Sequence, residues 1–412
     1  CQMTDADANA VTAYIRKVEI FDGVKVADYS EAVRDGRIQV IGPELLEDFL
    51  QHVAGEQLRP GICHEVPLSV VYTPLNGTGN KPVREMLHRI GVSALAVVPE
   101  QEKPDGNFPT APYPNPEIRQ AFACALKLAE TVKPDLLLAT DPDCDRVGIA
   151  VLDSGDYTLM TGNEVGCLLL NYVLTTRAEL GTLPEHPVTV KTIVTSDLVL
   201  RIAEKFGCEV REVLTGFKYI GEQIGLLEKE GHPERYVFGF EESYGYLSGT
   251  YVRDKDGVNA SMLICEMAAY YKKQGKSLLD VLDALYAEFG VYRHILINAE
   301  FEGAEGMTTM HKLMESLREN RPQEIAGLAV TRFSDYLASR SVDMRTGAET
   351  VLTLPKSNVL VFGLEDGAGV IVRPSGTEPK IKAYVTATGT DKAAAEAMAE
   401  RLTDAAKELL KA

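Results

Sequence analysis

Three aspartates, Asp141, Asp143 and Asp145, occupy every second position of "LLLATDPDCDRVGI", directly after an apolar run. Three carboxylates so close repel one another, which points to a cation that offsets them. Oxygen ligands converging from one extended loop suit a hard divalent ion, magnesium or manganese. The plainer alternative is a solvated acidic turn that caps the next element.

Of two other chemistries for this loop, its neighbours exclude the first and disfavour the second, in which Asp141 would be a nucleophile. An EF-hand would have Gly at its sixth position and Glu at its twelfth, where Arg146 and Leu152 stand, and a helix before it instead of a strand. An aspartyl-nucleophile loop of the haloacid-dehalogenase type wants Thr or Val at the place held by Asp145.

Further candidates lie along the chain. Arg146 is either a charge partner of the aspartates or a bidentate phosphate ligand beside the metal. In "GFEESYG", Glu241 and Ser243 sit two apart, so in extended backbone they face one side and could hold vicinal sugar hydroxyls; otherwise this is an acidic loop with a capping Ser. "VRDKDGV" places Lys255 just before a helix that Asp256 caps, as a phosphate ligand or a solvated base. "VRPSGTEPK" gathers Arg373, Ser375, the Gly376 amide and Thr377 into a short turn between strands, an anion nest or a polar hairpin turn. "NGTG" reads as a tight strand-to-helix turn, and the scattered histidines receive no role.

The elements that must position these residues are legible in part. "PLSVVYT", "ALAVVPE" and "DLLLAT" read as strands, separated by helices over "KPVREMLHRI" and from Pro116 to Val132. That alternation signals a parallel α/β sheet, whose ligands collect at the carboxyl ends of strands. The rhythm restarts at "VTVKTIV", after a joint near residues 153–187. It continues through a helix from Asp197, then "CEVREVL", "RYVFGF" and a long amphipathic helix from Val258. Residues 5–18 read as a helix capped by Thr4, and residues 19–62 carry no clear signature. Residues 297–412 change character, with "NVLVFGL", "GVIVRPSG" and "IKAYVTAT" as antiparallel strands. A C-terminal helix follows from Asp391, with Ala393, Ala397, Leu402, Ala406 and Leu409 on one face. The fold class is α/β: tandem mixed α/β domains with largely parallel sheets, then a C-terminal α+β domain.

With 42 Lys and Arg against 60 Asp and Glu, the net charge is −18, which argues against nucleic acid or an anionic membrane as partner. The longest apolar run, "VGCLLLNYVL", is half the roughly 20 residues a membrane helix needs. Seven single cysteines without a C-x-x-C pair predict reduced thiols and a cytoplasmic protein.

In their fixed order, "TDPDCDRVG", "TGFKYIG", "FEESYG", "RDKDG" and "RPSGTEPK" resemble the α-D-phosphohexomutase superfamily of phosphoglucomutases and phosphomannomutases. "VYTPLNGTG" and "FPTAPYPNPE" add to the resemblance, which is greatest to the larger bacterial phosphoglucomutase and phosphopentomutase branch. It covers nearly the whole chain. The resemblance implies four domains around one cleft, three alike and the last α+β. It implies magnesium on Asp141, Asp143 and Asp145, with catalytic roles for Arg146 beside the reacting phosphate and Lys255 on phosphate. Thr215 and Lys218 would lie near the sugar, Glu241 and Ser243 on its hydroxyls, and Arg373, Ser375, Gly376 and Thr377 on the non-reacting phosphate.

The implied reaction interconverts glucose 1-phosphate and glucose 6-phosphate through a phosphoserine, with glucose 1,6-bisphosphate as intermediate and activator. A phosphopentomutase, a phosphomannomutase or a non-catalytic phosphosugar-binding protein are the alternatives. Many relatives have His where Asn76 stands. No "T-A-S-H-N-P"-like nucleophile loop occurs in the sequence. The expected division is therefore 1–62 as the remnant of a first, catalytic-serine domain, 63–156 with the metal loop, 157–296 with the sugar loop, and 297–412 with the phosphate loop. The chain as it stands is expected to bind and not to turn over.

Overall fold

The expected apolar runs become strands in the computed structural model, which describes residues 2–301, 305–375 and 379–411. The chain divides into two compact units. One comprises Cys1–Lys191, Phe206–Arg211 and Gly216–Ser277, the other Thr192–Lys205, Glu212–Thr215 and Leu278–Ala412.

In the first unit, β1 (Ser69–Thr73), β2 (Ala94–Val97) and β3 (Leu136–Thr140) run parallel in the order β2-β1-β3. β4 (Val147–Asp153) and β5 (Asp156–Met160) extend the sheet antiparallel from β3. All five residues of β3 are buried, which is why its sequence is a continuous apolar run and not an alternation. Strand β6 (Val188–Thr192) is followed by β7 (Glu209–Val213), β8 (Tyr236–Glu241) and β9 (Gly245–Leu247). β6 pairs in parallel with β8, and β8 antiparallel with β9.

Several local expectations are revised. The helix after "DKDG" spans Gly257–Lys273 and is capped by Asp256, as read, but it buries residues on every face and is not amphipathic. The segment from Pro116 forms a turn, then a short 3-10 turn at Arg119–Phe122, and is α-helical only over Ala123–Val132. The interval near 153–187 holds the helix Gly162–Glu179, opened by a capping box of Thr161 and Glu164. Residues 19–62 contain the helix Pro43–Gly55, which buries Leu50 and Val53. The helix that Thr4 caps is Asp5–Ile15, and it buries none of its side chains.

The second unit carries an antiparallel sheet of β10 (Val291–Glu300), β11 (Glu324–Ile325), β12 (Leu328–Asp335), β13 (Arg340–Asp343), β14 (Glu349–Val351), β15 (Leu360–Leu364), β16 (Gly369–Pro374) and β17 (Lys380–Gly389). Its order is β10-β17-β16-β15-β12-β13-β14, with β11 paired to β12. The helix Lys392–Leu409 shares this unit's core, capped by Asp391. The buried stripe is Ala395, Ala399, Leu402 and Ala406; Ala393 and Ala397 are exposed. In so alanine-rich a helix, composition leaves the facing register ambiguous, and packing decides it.

Among the described residues no helix is long and apolar enough to cross a membrane, and Cys63, Cys124, Cys144, Cys167, Cys208 and Cys265 are free thiols.

Candidate metal and phosphate site

The aspartate loop leaves the buried end of β3 and returns at once into β4. Its turn is tight: the Cys144 amide donates to the Asp141 carbonyl at 3.0 Å, and Cys144 adopts a left-handed φ of 60°. Two other segments clamp the loop. The Thr78 amide donates to the Pro142 carbonyl at 2.8 Å, and the Gly257 amide to the Cys144 carbonyl at 3.0 Å. A Cβ on Gly257 would lie 2.6 Å from that carbonyl oxygen, so the approach requires glycine. The "NGTG" turn thus supports the acidic loop and opens the helix Asn80–Arg89.

Each of the three carboxylates offers an oxygen within 4.8 Å of the other two. On a magnesium ion with oxygens at about 2.1 Å, adjacent ligands lie about 3 Å apart and opposite ones about 4.2 Å, so the carboxylates would draw inward to close on such an ion. An all-carboxylate donor set also matches a hard cation. Asp141 is 1% exposed, and burial pushes its carboxyl up to about 6. Hydrogen bonding and charge from Arg146 pull it down, while Asp145 pushes it up. A divalent ion here would favour the ionised form.

Arg146 is fixed by its surroundings. Its amide donates to Asp141 Oδ1 at 2.9 Å and its Nε to Asp141 Oδ2 at 2.7 Å. Nη1 donates to Glu117 Oε1 at 3.3 Å, and Asp145 Oδ1 lies 3.6 Å from Nε. Lys255 approaches from the loop before the Gly257–Lys273 helix. Its ammonium sits 2.7 Å from Asp145 Oδ2 and 3.2 Å from Asp254 Oδ1, and its stem crosses Gly245, where a Cβ would lie 2.2 Å from Lys255 Cδ. Burial works to lower the Lys255 pKa, but these carboxylates prevail and raise it.

Glu241 ends β8, 5% exposed, and its Oε1 accepts from the Gly216 amide at 2.8 Å. Burial raises its pKa; the Gly216 bond and the nearby Lys255 oppose that, and Asp254 and Asp145 reinforce it. The first unit thus gathers Asp141, Asp143, Asp145, Arg146, Lys255 and Glu241 into one electrostatic neighbourhood. Ser243 differs from the extended reading. It lies in the turn between β8 and β9, next to Tyr244 at a φ of 69°, so the alternation argument for facing Glu241 does not apply. Lys218 is engaged by Asp5 at 2.5 Å.

A cavity of about 800 Å³ opens beside the loop, lined by Asp143, Asp145, Lys255, Thr78, Tyr251 and Phe49 among others. The sequence reading missed two parts of this neighbourhood. Glu117 was readable only as part of "YPNPE", and Phe49 belongs to the helix announced by Pro43 at its first turn and by Leu46, Leu50 and Val53 at helical spacing.

In the second unit Arg373 pairs with Lys382 across β16 and β17, and the Ser375 amide donates to the Lys380 carbonyl at 2.7 Å, closing the base of a hairpin. Gly376 and Thr377 lie outside the described residues. Thr215, also in this unit, buries its Oγ1 with no hydrogen-bond partner among the described residues.

Comparison with known proteins gives a consistent pattern. Three family models match: phosphoglucomutase/phosphomannomutase α/β/α domain II over residues 47–155, α/β/α domain III over 161–289, and the C-terminal domain over 310–405. A phosphoglucomutase of Staphylococcus aureus (strain bovine RF122 / ET3-1) is 39% identical over 82% of the chain and 60% of its own length. Another, from strain MRSA252, is 37% identical over 93% of the chain and 67% of its own length. The chain thus spans about 60% of the first of these relatives. Among solved structures, pp63/parafusin, a phosphoglucomutase from Paramecium in its open form, shares the fold at a TM-score of 0.62 and 19% identity. It aligns over 89% of this chain and 61% of its own. A phosphoglucomutase/phosphomannomutase family protein from Burkholderia thailandensis aligns at 0.56 and 15%, over 92% of this chain and 69% of its own.

Proposed function

The chain belongs to the phosphoglucomutase/phosphomannomutase family, and from that premise we propose that it carries the metal, sugar and phosphate sites of a phosphoglucomutase. The reaction would interconvert glucose 1-phosphate and glucose 6-phosphate through glucose 1,6-bisphosphate. The observation that carries this reading is the convergence of Asp141, Asp143 and Asp145 beside Arg146 and Lys255. The names of the curated relatives favour glucose over mannose or a pentose.

Asp141, Asp143 and Asp145 would hold magnesium, which supplies positive charge against a transferring phosphoryl group. Arg146 would contribute a guanidinium fixed at Nε and Nη1, and Lys255 an ammonium kept protonated by its carboxylate neighbours. Such prearranged charge needs little reorganisation as the transfer proceeds. Glu241 and Ser243 would hold sugar hydroxyls, and Thr215 and Lys218 would line the sugar's approach. The Thr215 hydroxyl, without a partner among the described residues, supports a ligand there. Lys218 would first have to release Asp5. Arg373, Ser375, Gly376 and Thr377 would take the second phosphate.

The division at 1–62, 63–156, 157–296 and 297–412 is part of the same proposal. Support comes from the order of the three family matches, the first of which begins at residue 47 and so takes in the end of the 1–62 part, and from exposed apolar side chains nearer the start, such as Phe21 and Val26. The relay's nucleophile is a phosphoserine, and no loop of its type occurs in these residues.

A coupled assay tests the proposal. The native polypeptide that carries these residues, given glucose 1-phosphate, a trace of glucose 1,6-bisphosphate and magnesium, should feed glucose-6-phosphate dehydrogenase; the isolated 412 residues should not. Absence of turnover by the native polypeptide on glucose, mannose, N-acetylglucosamine and ribose 1-phosphates would refute the assignment.

A further inference from the structure

We propose that Glu117 is a positioning residue that holds the Arg146 guanidinium in place for phosphate; this rests on the reading of Arg146 as a phosphate contact. Three carboxylates surround that guanidinium: Asp141 at 2.7 Å and Asp145 at 3.6 Å from Nε, and Glu117 at 3.3 Å from Nη1. The first two belong to the cluster that can hold a divalent ion; Glu117 does not. A cation on the cluster takes up much of the negative charge that Asp141 and Asp145 present to Arg146. Glu117 is then the neighbour that keeps its full charge on the guanidinium. It ties the Nη1 end while Nε stays at Asp141, which leaves Nη2 for a ligand.

The backbone around Glu117 is built to fix its place. The Glu117 amide donates to Asn115 Oδ1 at 2.9 Å, which shapes the turn. Pro116 packs directly on β4, where a Cβ on Gly148 would meet the Pro116 carbonyl oxygen at 2.7 Å. Gly148 is two residues past Arg146, so this contact sets the spacing between the two loops. A surface ion pair held only by flexible side chains would contribute little, and the constrained backbone distinguishes this one.

The test is a double-mutant cycle on the 412-residue chain. Glucose 1-phosphate affinity is measured by calorimetry at saturating magnesium for wild type, Glu117→Ala, Glu117→Asp, Arg146→Ala and the double Ala variant. Magnesium affinity and thermal midpoint are followed in parallel. Glu117→Ala should weaken glucose 1-phosphate binding about tenfold, the scale of coupling within one salt-bridge network. Glu117→Asp should recover part of the loss, magnesium affinity should hold, and Glu117→Ala should add nothing once Arg146 is Ala. An equal loss in the Arg146→Ala background, or wild-type affinity in Glu117→Ala, overturns the positioning role alone. Wild-type affinity in Arg146→Ala overturns the phosphate reading of Arg146 and this role with it.

Discussion

Lys255 places its ammonium 2.7 Å from Asp145 Oδ2, so one carboxylate of the candidate cation cluster is already paired with a base from another loop. The pairing joins the aspartate loop to the loop ahead of the Gly257–Lys273 helix. It also makes Lys255 a competitor for any cation at Asp145.

Lys255→Met should therefore act in opposite directions on two ligands. Removing the ammonium should tighten magnesium binding by up to roughly fivefold, the value of one partly exposed ion pair. Glucose 1-phosphate binding should weaken in the same variant. Calorimetry with each ligand reads both signs, and a parallel change in the two would contradict the arrangement.

Gly257→Ala places a Cβ 2.6 Å from the Cys144 carbonyl oxygen, a backbone atom that cannot rotate away. The variant should lose about 1–3 kcal/mol of stability, as overpacked sites do. Because the displaced segment is the aspartate loop, magnesium affinity should fall as well. Denaturant melts and magnesium titration check the two effects; an unchanged magnesium affinity would show that the loop does not depend on this contact.

Glu266 gives a pH prediction away from the site. Its Oε1 accepts from the Leu58 amide at 3.1 Å and from the Tyr172 hydroxyl at 2.9 Å, while Oε2 is buried without a partner among the described residues. Burial raises its pKa above 4.5, against the hydrogen bonds and the pull of Arg59. Between 4.5 and the raised folded value, the native state holds a proton that the unfolded chain has released. Its contribution to stability is thus present below 4.5 and declines as pH rises through that window. Glu266→Gln cannot titrate. The stability of wild type relative to Glu266→Gln should fall with rising pH in denaturant melts, and a constant difference would rule the titration out.

Arg373→Ala should weaken glucose 1-phosphate binding by about 1–3 kcal/mol, the cost of a lost charged hydrogen bond. Magnesium affinity should not change, because Arg373 sits at a hairpin of the second unit and not on the aspartate loop. Calorimetry of the variant with each ligand separates the two. Intact phosphosugar binding would remove Arg373 from the phosphate loop.

The sequence made the strands and the acidic loop legible because both are local. Leu136–Thr140 is a run of buried residues, and alternate aspartates on its exit loop need no distant partner to be recognised. The Asp256 cap was readable for the same reason. Glu117 was not, because its meaning comes from Arg146, brought near by the packing of Pro116 on β4. The alternation argument for Ser243 failed because a hairpin turn replaced the extended backbone on which it depends. The face of the C-terminal helix was misassigned because alanines stand on several faces and only the sheet beneath selects Ala395 and Ala399.

The central claim is that Asp141, Asp143 and Asp145 together hold a divalent cation. The most direct measurement is calorimetric titration of magnesium or manganese into the 412-residue chain and into Asp143→Ala, with the thermal midpoint confirming that the variant folds. The account predicts one saturable site in the wild type that a folded Asp143→Ala loses. Equal binding by both proteins, or none by either, would contradict it.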